Sequence, residues 1–364
     1  MKTSRRGFLK TVGGTVAGGA LGTHIGCATS TERVKRDRPI NLLFLMCDQH
    51  RHNALSCQDD PLAITPVLDK LAASGTLFEQ AYCQDPVCVP SRNSILLGRY
   101  AHSTGVRSNG GQSTRDLPSF MQVLRGNGYK TACFGKLHVN GRTDLDWDVY
   151  NPQKDWPPAE IEPGKTPIGG SLLGGQPLGQ PAPFPEHGHM EWRAKEQTIE
   201  FLKENKDIPW AIQCSFTKPH PAFQPPKRHW NMINRDSVEI PEYPKDDLDD
   251  TNPRNARFLK QRKLEKPTRD DILDAIQGYY GNVAFCDELF GEVLASLDEL
   301  GLRGNTLIVY TADHGEMLYA HRLWTKFCFF EESVHVPLIL SMPGTIPAGK
   351  LDDALVEQID LFPT

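Results

Sequence analysis

The chain is poor in the features that mark several protein classes. Hydrophobic residues make up 39% of its 364 residues, enough for a core and too few for a multi-spanning membrane protein. It has no basic excess: 40 Lys and Arg against 45 Asp and Glu give a formal charge of -5, which argues against a nucleic-acid partner. The nine cysteines form no CxxC pair, so neither a zinc ribbon nor a disulfide framework is expected. Most of them, such as Cys133 and Cys214, sit in apolar runs where cysteine acts as a small core residue. No internal repeat is visible. Loop-forming residues, by contrast, are plentiful. The 28 prolines and 31 glycines imply long irregular connections, where functional residues gather on a rigid scaffold.

The first residues read as an address. Ser4-Arg5-Arg6-Gly7-Phe8-Leu9-Lys10 precedes a mildly apolar stretch, residues 11–26, too short and too polar to span a bilayer. Twin arginines in that setting indicate export through the twin-arginine translocation machinery, which carries folded proteins. Ile25-Gly26-Cys27 resembles the end of a lipoprotein processing site, although His24 stands where an aliphatic residue is usual. Cys27 is therefore a candidate lipid anchor, and the expected location is periplasmic or membrane-anchored. Residues 1–38 are assigned to signal and linker, and 39–364 to the folded domain.

Residues 41–47 form a continuous apolar run, as expected of a strand buried on both faces. Thr65-Pro66 followed by Leu68, Leu71 and Gly75 reads as the cap, first turn, apolar stripe and end of a short helix. Helices are also predicted at 117–127, 190–205 and 268–300, and strands at 130–134, 210–216, 306–311 and 336–341. Alternating buried strands and helices predict an α/β fold with a mainly parallel central sheet flanked by helices. Residues 151–189 read as a loop or lid, and 237–266 as a polar excursion whose acids, Asp246 to Asp250, are solvated.

In such sheets, ligands bind beyond the carboxyl ends of the strands. Four predicted strand ends there carry polar side chains: Asp48-Gln49, Lys136 and His138, Lys218 and His220, and Asp313-His314. A fifth element is Cys88-Val89-Pro90-Ser91-Arg92. Pro90 suits a first helical turn, placing Cys88 at a helix N-terminus that favours anions. Arg92, one turn on, offers a planar fork to an oxyanion. Asn93, Ser94 and His102 nearby are read as structural.

This set resembles the sulfatase family of the alkaline-phosphatase-like superfamily. The signature is Cys88-x-Pro90-Ser91-Arg92 with Leu97-Gly98-Arg99, and the resemblance runs from about 41 to 364. Thr65-Pro66 with Leu68-Asp69, and Glu331 to Val334 with Val336-Pro337, support it. It implies a sulfuric ester hydrolase in which a formylglycine-generating enzyme oxidises Cys88 to the nucleophile. Asp48, Gln49, Asp313 and His314, with the converted Cys88, would hold one divalent cation. Oxygen ligands suit calcium or magnesium, the imidazole nitrogen also admits manganese or another transition metal, and family resemblance favours calcium. Arg92, Lys136 and Lys326 would neutralise sulfate oxygens. His138 would serve the formylglycine hydroxyl, and His220 would protonate or orient the leaving oxygen. One hydroxyl of the hydrated aldehyde would attack sulfur, and loss of a proton from the other would expel sulfate. Sulfated carbohydrates are plausible substrates for an exported enzyme. Gln49 also occurs in relatives that cleave choline sulfate or phosphonate and phosphate esters, which leaves a phosphonate or phosphate ester hydrolase as the alternative. Family members continue from a segment like 359–364 into another helix and a small subdomain, so the C-terminal subdomain is expected to be truncated here.

Overall fold

The computed structural model describes residues 38–151, 160–163, 165, 179–244, 253 and 267–364. The twin-arginine segment, Cys27, the acids Asp246 to Asp250 and much of 151–189 lie outside the described residues. The expected α/β architecture is present. Eight strands form one sheet in the order β4-β3-β5-β1-β6-β7-β2-β8. They are β1 (Asn41–Asp48), β2 (Thr76–Tyr82), β3 (Lys130–Gly135), β4 (Val149–Asn151), β5 (Trp210–Pro219), β6 (Thr306–Ala312), β7 (Leu338–Ser341) and β8 (Lys350–Glu357). Only β7 runs against its neighbours, pairing antiparallel with β6 and with β2.

β1 lies at the centre, parallel to β5 on one side and β6 on the other. Its side chains alternate between the two faces. Leu43, Leu45 and Cys47 join a core with helices α1 (Pro66–Ala73), α4 (Met190–Glu204) and α5 (Arg269–Glu299). Phe44 and Met46 enter a second core that includes Ile95 of α2 (Cys88–Leu97). Met121 of α3 (Phe120–Gly126) packs on that side beside Leu96 of α2. Helices on both faces explain why β1 is an unbroken apolar run.

The strands that the sequence did not disclose lie away from this centre. β2 pairs with β8 through a register shift between Phe78 and Gln80, which breaks the two-residue alternation. β8 is an edge strand with Leu351 and Leu355 exposed among charged neighbours, a mixed pattern without a buried face to read.

The start of α1 differs from its expected cap. Thr65 Oγ1 accepts from Ser56 N and donates to Asp69, and makes no cap bond. The free N–H groups of Val67 and Leu68 donate instead to the carboxylate of Asp287 on α5, at 3.0 and 2.8 Å. That contact pins α1 to the longest helix. Burial raises the Asp287 carboxyl to about 7, the two backbone donors only partly offsetting it. The unfolded carboxyl titrates near 3.8. Between those values the folded protein binds more protons than the unfolded chain, so this group's contribution to stability falls as pH rises from about 4 to about 7. The Asp287→Asn variant should lack that slope. Urea unfolding at pH 4.5 and pH 8 tests this: relative to the variant, the parent should lose roughly 3–4 kcal/mol across the interval. Parallel pH dependence in the two proteins would refute it.

Candidate active site

Parallel neighbours put their carboxyl ends on one edge, and β3, β5, β1 and β6 are consecutive in the sheet. The polar groups that follow these four strands therefore converge. Cys88 is the first residue of α2, and the helix is buried along its whole length beneath them. Two glycines permit the close approach. A side chain at Gly135, which has φ +89°, would meet the Ser215 carbonyl oxygen at 2.0 Å, and one at Gly315 would meet that of Glu332 at 2.0 Å.

Asp48 and Asp313 face each other across the strand ends, both fully buried. Arg92 lies between them. Its Nε donates to Asp313 at 2.7 Å and its Nη2 to Asp48 at 3.3 Å. Its Nη1 reaches the Lys136 carbonyl at 2.7 Å and Ser215 Oγ at 3.0 Å. The Lys136 ammonium also pairs with Asp48. Ser91, beside Arg92, donates to the Asp313 carbonyl at 2.5 Å. The guanidinium is thus committed to carboxylates, carbonyls and the Ser215 hydroxyl, a different set of partners from the sulfate oxygens expected of it.

Cys88 Sγ lies 3.2 Å from His314 Nε2 and 3.8 Å from Asp48 Oδ1. His314 Nδ1 sits 3.0 Å from the Gly315 carbonyl, so Nδ1 carries the proton and Nε2 is left to the site. His220 N donates to the Asp48 carbonyl at 3.1 Å, and its ring Nδ1 donates to the Pro221 carbonyl at 2.7 Å. His138 adopts a left-handed backbone at φ +51°, and its Nδ1 is buried with no hydrogen-bond partner among the described residues. Gln49, also left-handed at φ +73°, donates its backbone N–H to Asp313 at 3.0 Å. The Gln49 side chain lies between Glu316, which accepts from its Nε2, and Lys326, which donates to its Oε1.

The electrostatics follow from this crowding. Burial opposes charge on Asp48, yet Lys136, His220, Lys326 and Arg92 hold its carboxyl well below the usual range. Asp313 is shifted up, by burial and then by Asp48 beside it. Burial and Asp48 disfavour a thiolate at Cys88, but Lys326, Lys136 and His314 outweigh them and hold the thiol well below its ordinary value. Burial and then Lys326 press His220 down to about 3, leaving it neutral.

Donor atoms of Asp48, Cys88, Asp313 and His314 all lie within 4.8 Å of one another, and all four residues are buried. Two carboxylates and an imidazole beside a buried thiol suit a divalent cation. The contacts above link Asp48, Gln49, Cys88, Arg92, Lys136, His220, Asp313, His314 and Lys326; His138 follows β3, and its buried Nδ1 has no hydrogen-bond partner among the described residues. Glu316 and Tyr279 were not expected. Glu316 had a signal, as an acid three residues after Asp313, whereas Tyr279 comes from the middle of α5 and its OH donates to the Gln49 carbonyl at 3.0 Å.

The fold and the site define an α/β protein with a buried carboxylate, imidazole and thiol centre ringed by cationic side chains. The chain belongs to the sulfatase family, whose model matches residues 40–364. It is 27% identical over 341 residues to a choline-sulfatase of Rhizobium meliloti, covering 89% of this chain and 66% of the relative. It is 29% identical to iduronate 2-sulfatase of Mus musculus, covering 89% of this chain and 68% of that protein. The chain thus spans about two thirds of the length of these curated relatives. Among solved structures, a phosphonate monoester hydrolase of Agrobacterium radiobacter shares the fold with a TM-score of 0.76 at 23% identity, over 89% of this chain and 72% of that one.

Arg92→Ala would leave two buried carboxylates without their shared partner. The expected cost is about 3–5 kcal/mol, measurable by urea unfolding at neutral pH. The gap from the parent should narrow on acidification, as the carboxyls take up protons. A loss below about 1 kcal/mol would show that Arg92 does not hold the pair together.

Proposed function

We propose that the chain is the catalytic part of an exported sulfuric ester hydrolase. The observation that carries the reading is the Cys88 thiol at the start of α2, against His314 and Asp48, with Lys136 and Lys326 beside it. Formylglycine made from Cys88 would supply a hydrated aldehyde as nucleophile, and a divalent cation, calcium before manganese or magnesium, held by Asp48, Gln49, Asp313 and His314, would acidify it.

The chain's own residues supply the rest. Lys136 and Lys326 meet the charge on the ester's oxygens, fixed in place before the substrate arrives. Arg92 holds Asp48 and Asp313 at their spacing. His138 moves a proton at the Cys88 position. His220, with Nδ1–H given to the Pro221 carbonyl, keeps Nε2 for the leaving oxygen. Burial, and then the field of Lys326 and Lys136, keep it neutral without substrate; a bound anion facing those lysines would offset the field's part of the shift and favour protonation at Nε2. The names of the choline and iduronate relatives favour sulfate esters, including those of carbohydrates. Gln49, which the resemblance places in relatives that cleave choline sulfate as well as in those that cleave phosphonate and phosphate esters, fits either chemistry, and the fold shared with a phosphonate monoester hydrolase supports the alternative of phosphonate or phosphate esters.

Arg5-Arg6 and Cys27 support delivery through the twin-arginine machinery to the periplasm or, lipidated, to a membrane surface. Changing both arginines to lysine should leave the protein in the cytoplasm.

Hydrolysis of a sulfate and a phosphate ester of the same alcohol distinguishes the two chemistries. The expected kcat/KM for the sulfate is higher by about tenfold or more, a difference of about 1.4 kcal/mol in transition-state binding. A higher value for the phosphate or phosphonate ester would establish the alternative. The mass of the Cys88 peptide from the native host should show the aldehyde, and Cys88→Ala should abolish turnover.

A further inference from the structure

Glu316 is fully buried and takes no part in the chemistry proposed above. It sits where the chain leaves the Asp313-His314-Gly315 turn. One carboxylate oxygen, Oε1, accepts from Leu318 N at 2.9 Å and from Thr325 N. The other, Oε2, accepts from Gln49 Nε2. Met317 N donates to the Thr325 carbonyl at 2.7 Å, closing the neck of the loop between them. Leu318, Tyr319, His321, Arg322, Thr325 and Phe327 all have positive φ, so this loop holds an unfavourable backbone that needs anchoring. Lys326 follows the pinned Thr325 directly.

The three side chains form a row with a direction. An ionised carboxylate only accepts hydrogen bonds and an ammonium only donates them. Between Glu316 and Lys326, the Gln49 amide can satisfy both only with its NH2 toward the acid and its oxygen toward the lysine. Reversed, it would set NH2 against the ammonium and oxygen against the carboxylate. Gln49 can serve a cation only through that oxygen, whose second lone pair remains when Lys326 takes the first.

We infer that Glu316 is a positioning residue that fixes the direction of the Gln49 amide and the seat of Lys326, and so strengthens the hold on the cation. This rests on the proposed cation reading of Asp48, Gln49, Asp313 and His314. Removing a group that orients a metal ligand typically costs ten- to a hundredfold in affinity.

The test is calcium titration by calorimetry into the full chain after chelation, well below its melting temperature. Glu316→Gln offers one oxygen and an NH2 to three donors, so it cannot restore the row. It should bind calcium about ten- to a hundredfold more weakly than the parent. Glu316→Asp, which keeps the charge but withdraws by one methylene, should fall between, and it replaces Glu316→Gln in every comparison if that variant does not fold. In a Gln49→Ala background the same change should weaken binding by less than about threefold, because the ligand it directs is gone. Unchanged affinity in the folded variant, or an equal loss with and without Gln49, would overturn the inference. A parent protein that binds none of calcium, magnesium and manganese would overturn the cation reading itself, and this inference with it.

Discussion

The site depends on one buried arrangement: two carboxylates, Asp48 and Asp313, held apart and together by Arg92. Placing two like charges at adjacent strand ends is unfavourable, and burial makes it worse. A single guanidinium from α2 meets both, and its remaining N–H groups tie down carbonyls that follow β3. Arginine suits this task because its planar fork can address several acceptors at fixed angles, and it keeps its charge in any accessible pH. Because Arg92 and Cys88 share one helix, the same contact that neutralises the carboxylates also sets Cys88, the proposed nucleophile position, against them. Stability and the proposed chemistry therefore use the same bonds.

The sheet supplies the precision. Consecutive parallel strands deliver Lys136, His220, Asp48 and Asp313 to one edge without any long loop having to fold back. The residues just beyond those ends then leave regular geometry at once. Gln49 and His138 have positive φ, as do Thr325 and Phe327 on either side of Lys326. Such conformations cost free energy in non-glycine residues and persist where surrounding bonds over-determine them. Here the bonds can be named: Asp313 and Tyr279 hold Gln49, and Glu316 holds Thr325.

Much of this was legible in the sequence, for physical reasons that differ by element. β1 and β6 announced themselves because strands covered on both faces must be apolar throughout, and their polar C-terminal neighbours then stood out. β2 was hidden by a shift of register, and β8 by its position at an edge, where nothing demands a pattern. Most of the site residues were readable as a set because they follow a readable strand or lie in the first turns of a readable helix; Lys326, in the loop after β6, came from the family resemblance alone. Asp287 and Tyr279 act across more than two hundred residues of chain, and such contacts leave no local mark; Glu316 reaches Gln49 over a similar separation, but its place three residues after Asp313 was a signal in the sequence. Asp287 replaced a cap that Thr65 was expected to make, since Thr65 found partners in Ser56 and Asp69.

The thiol at Cys88 shows how far the surroundings decide chemistry. A cysteine this deeply buried would ordinarily hold its proton, as Cys133 and Cys214 do on the neighbouring strands, both pushed up by burial. Cys88 is buried nearly as well and is shifted the other way, because Lys326, Lys136 and His314 surround it. The contrast lies in where each residue sits. Cys133 and Cys214 are within strands, walled by apolar side chains, whereas Cys88 sits past the strand ends, where the sheet has run out and charged groups begin. A site that stabilises negative charge on sulfur at this point is suited to stabilise it on an oxygen placed there, and on an anionic ester drawn toward the same cations. The field at Cys88 thus favours an anionic group at that position and an anionic ester beside it, as the proposed hydrolysis of a charged ester needs.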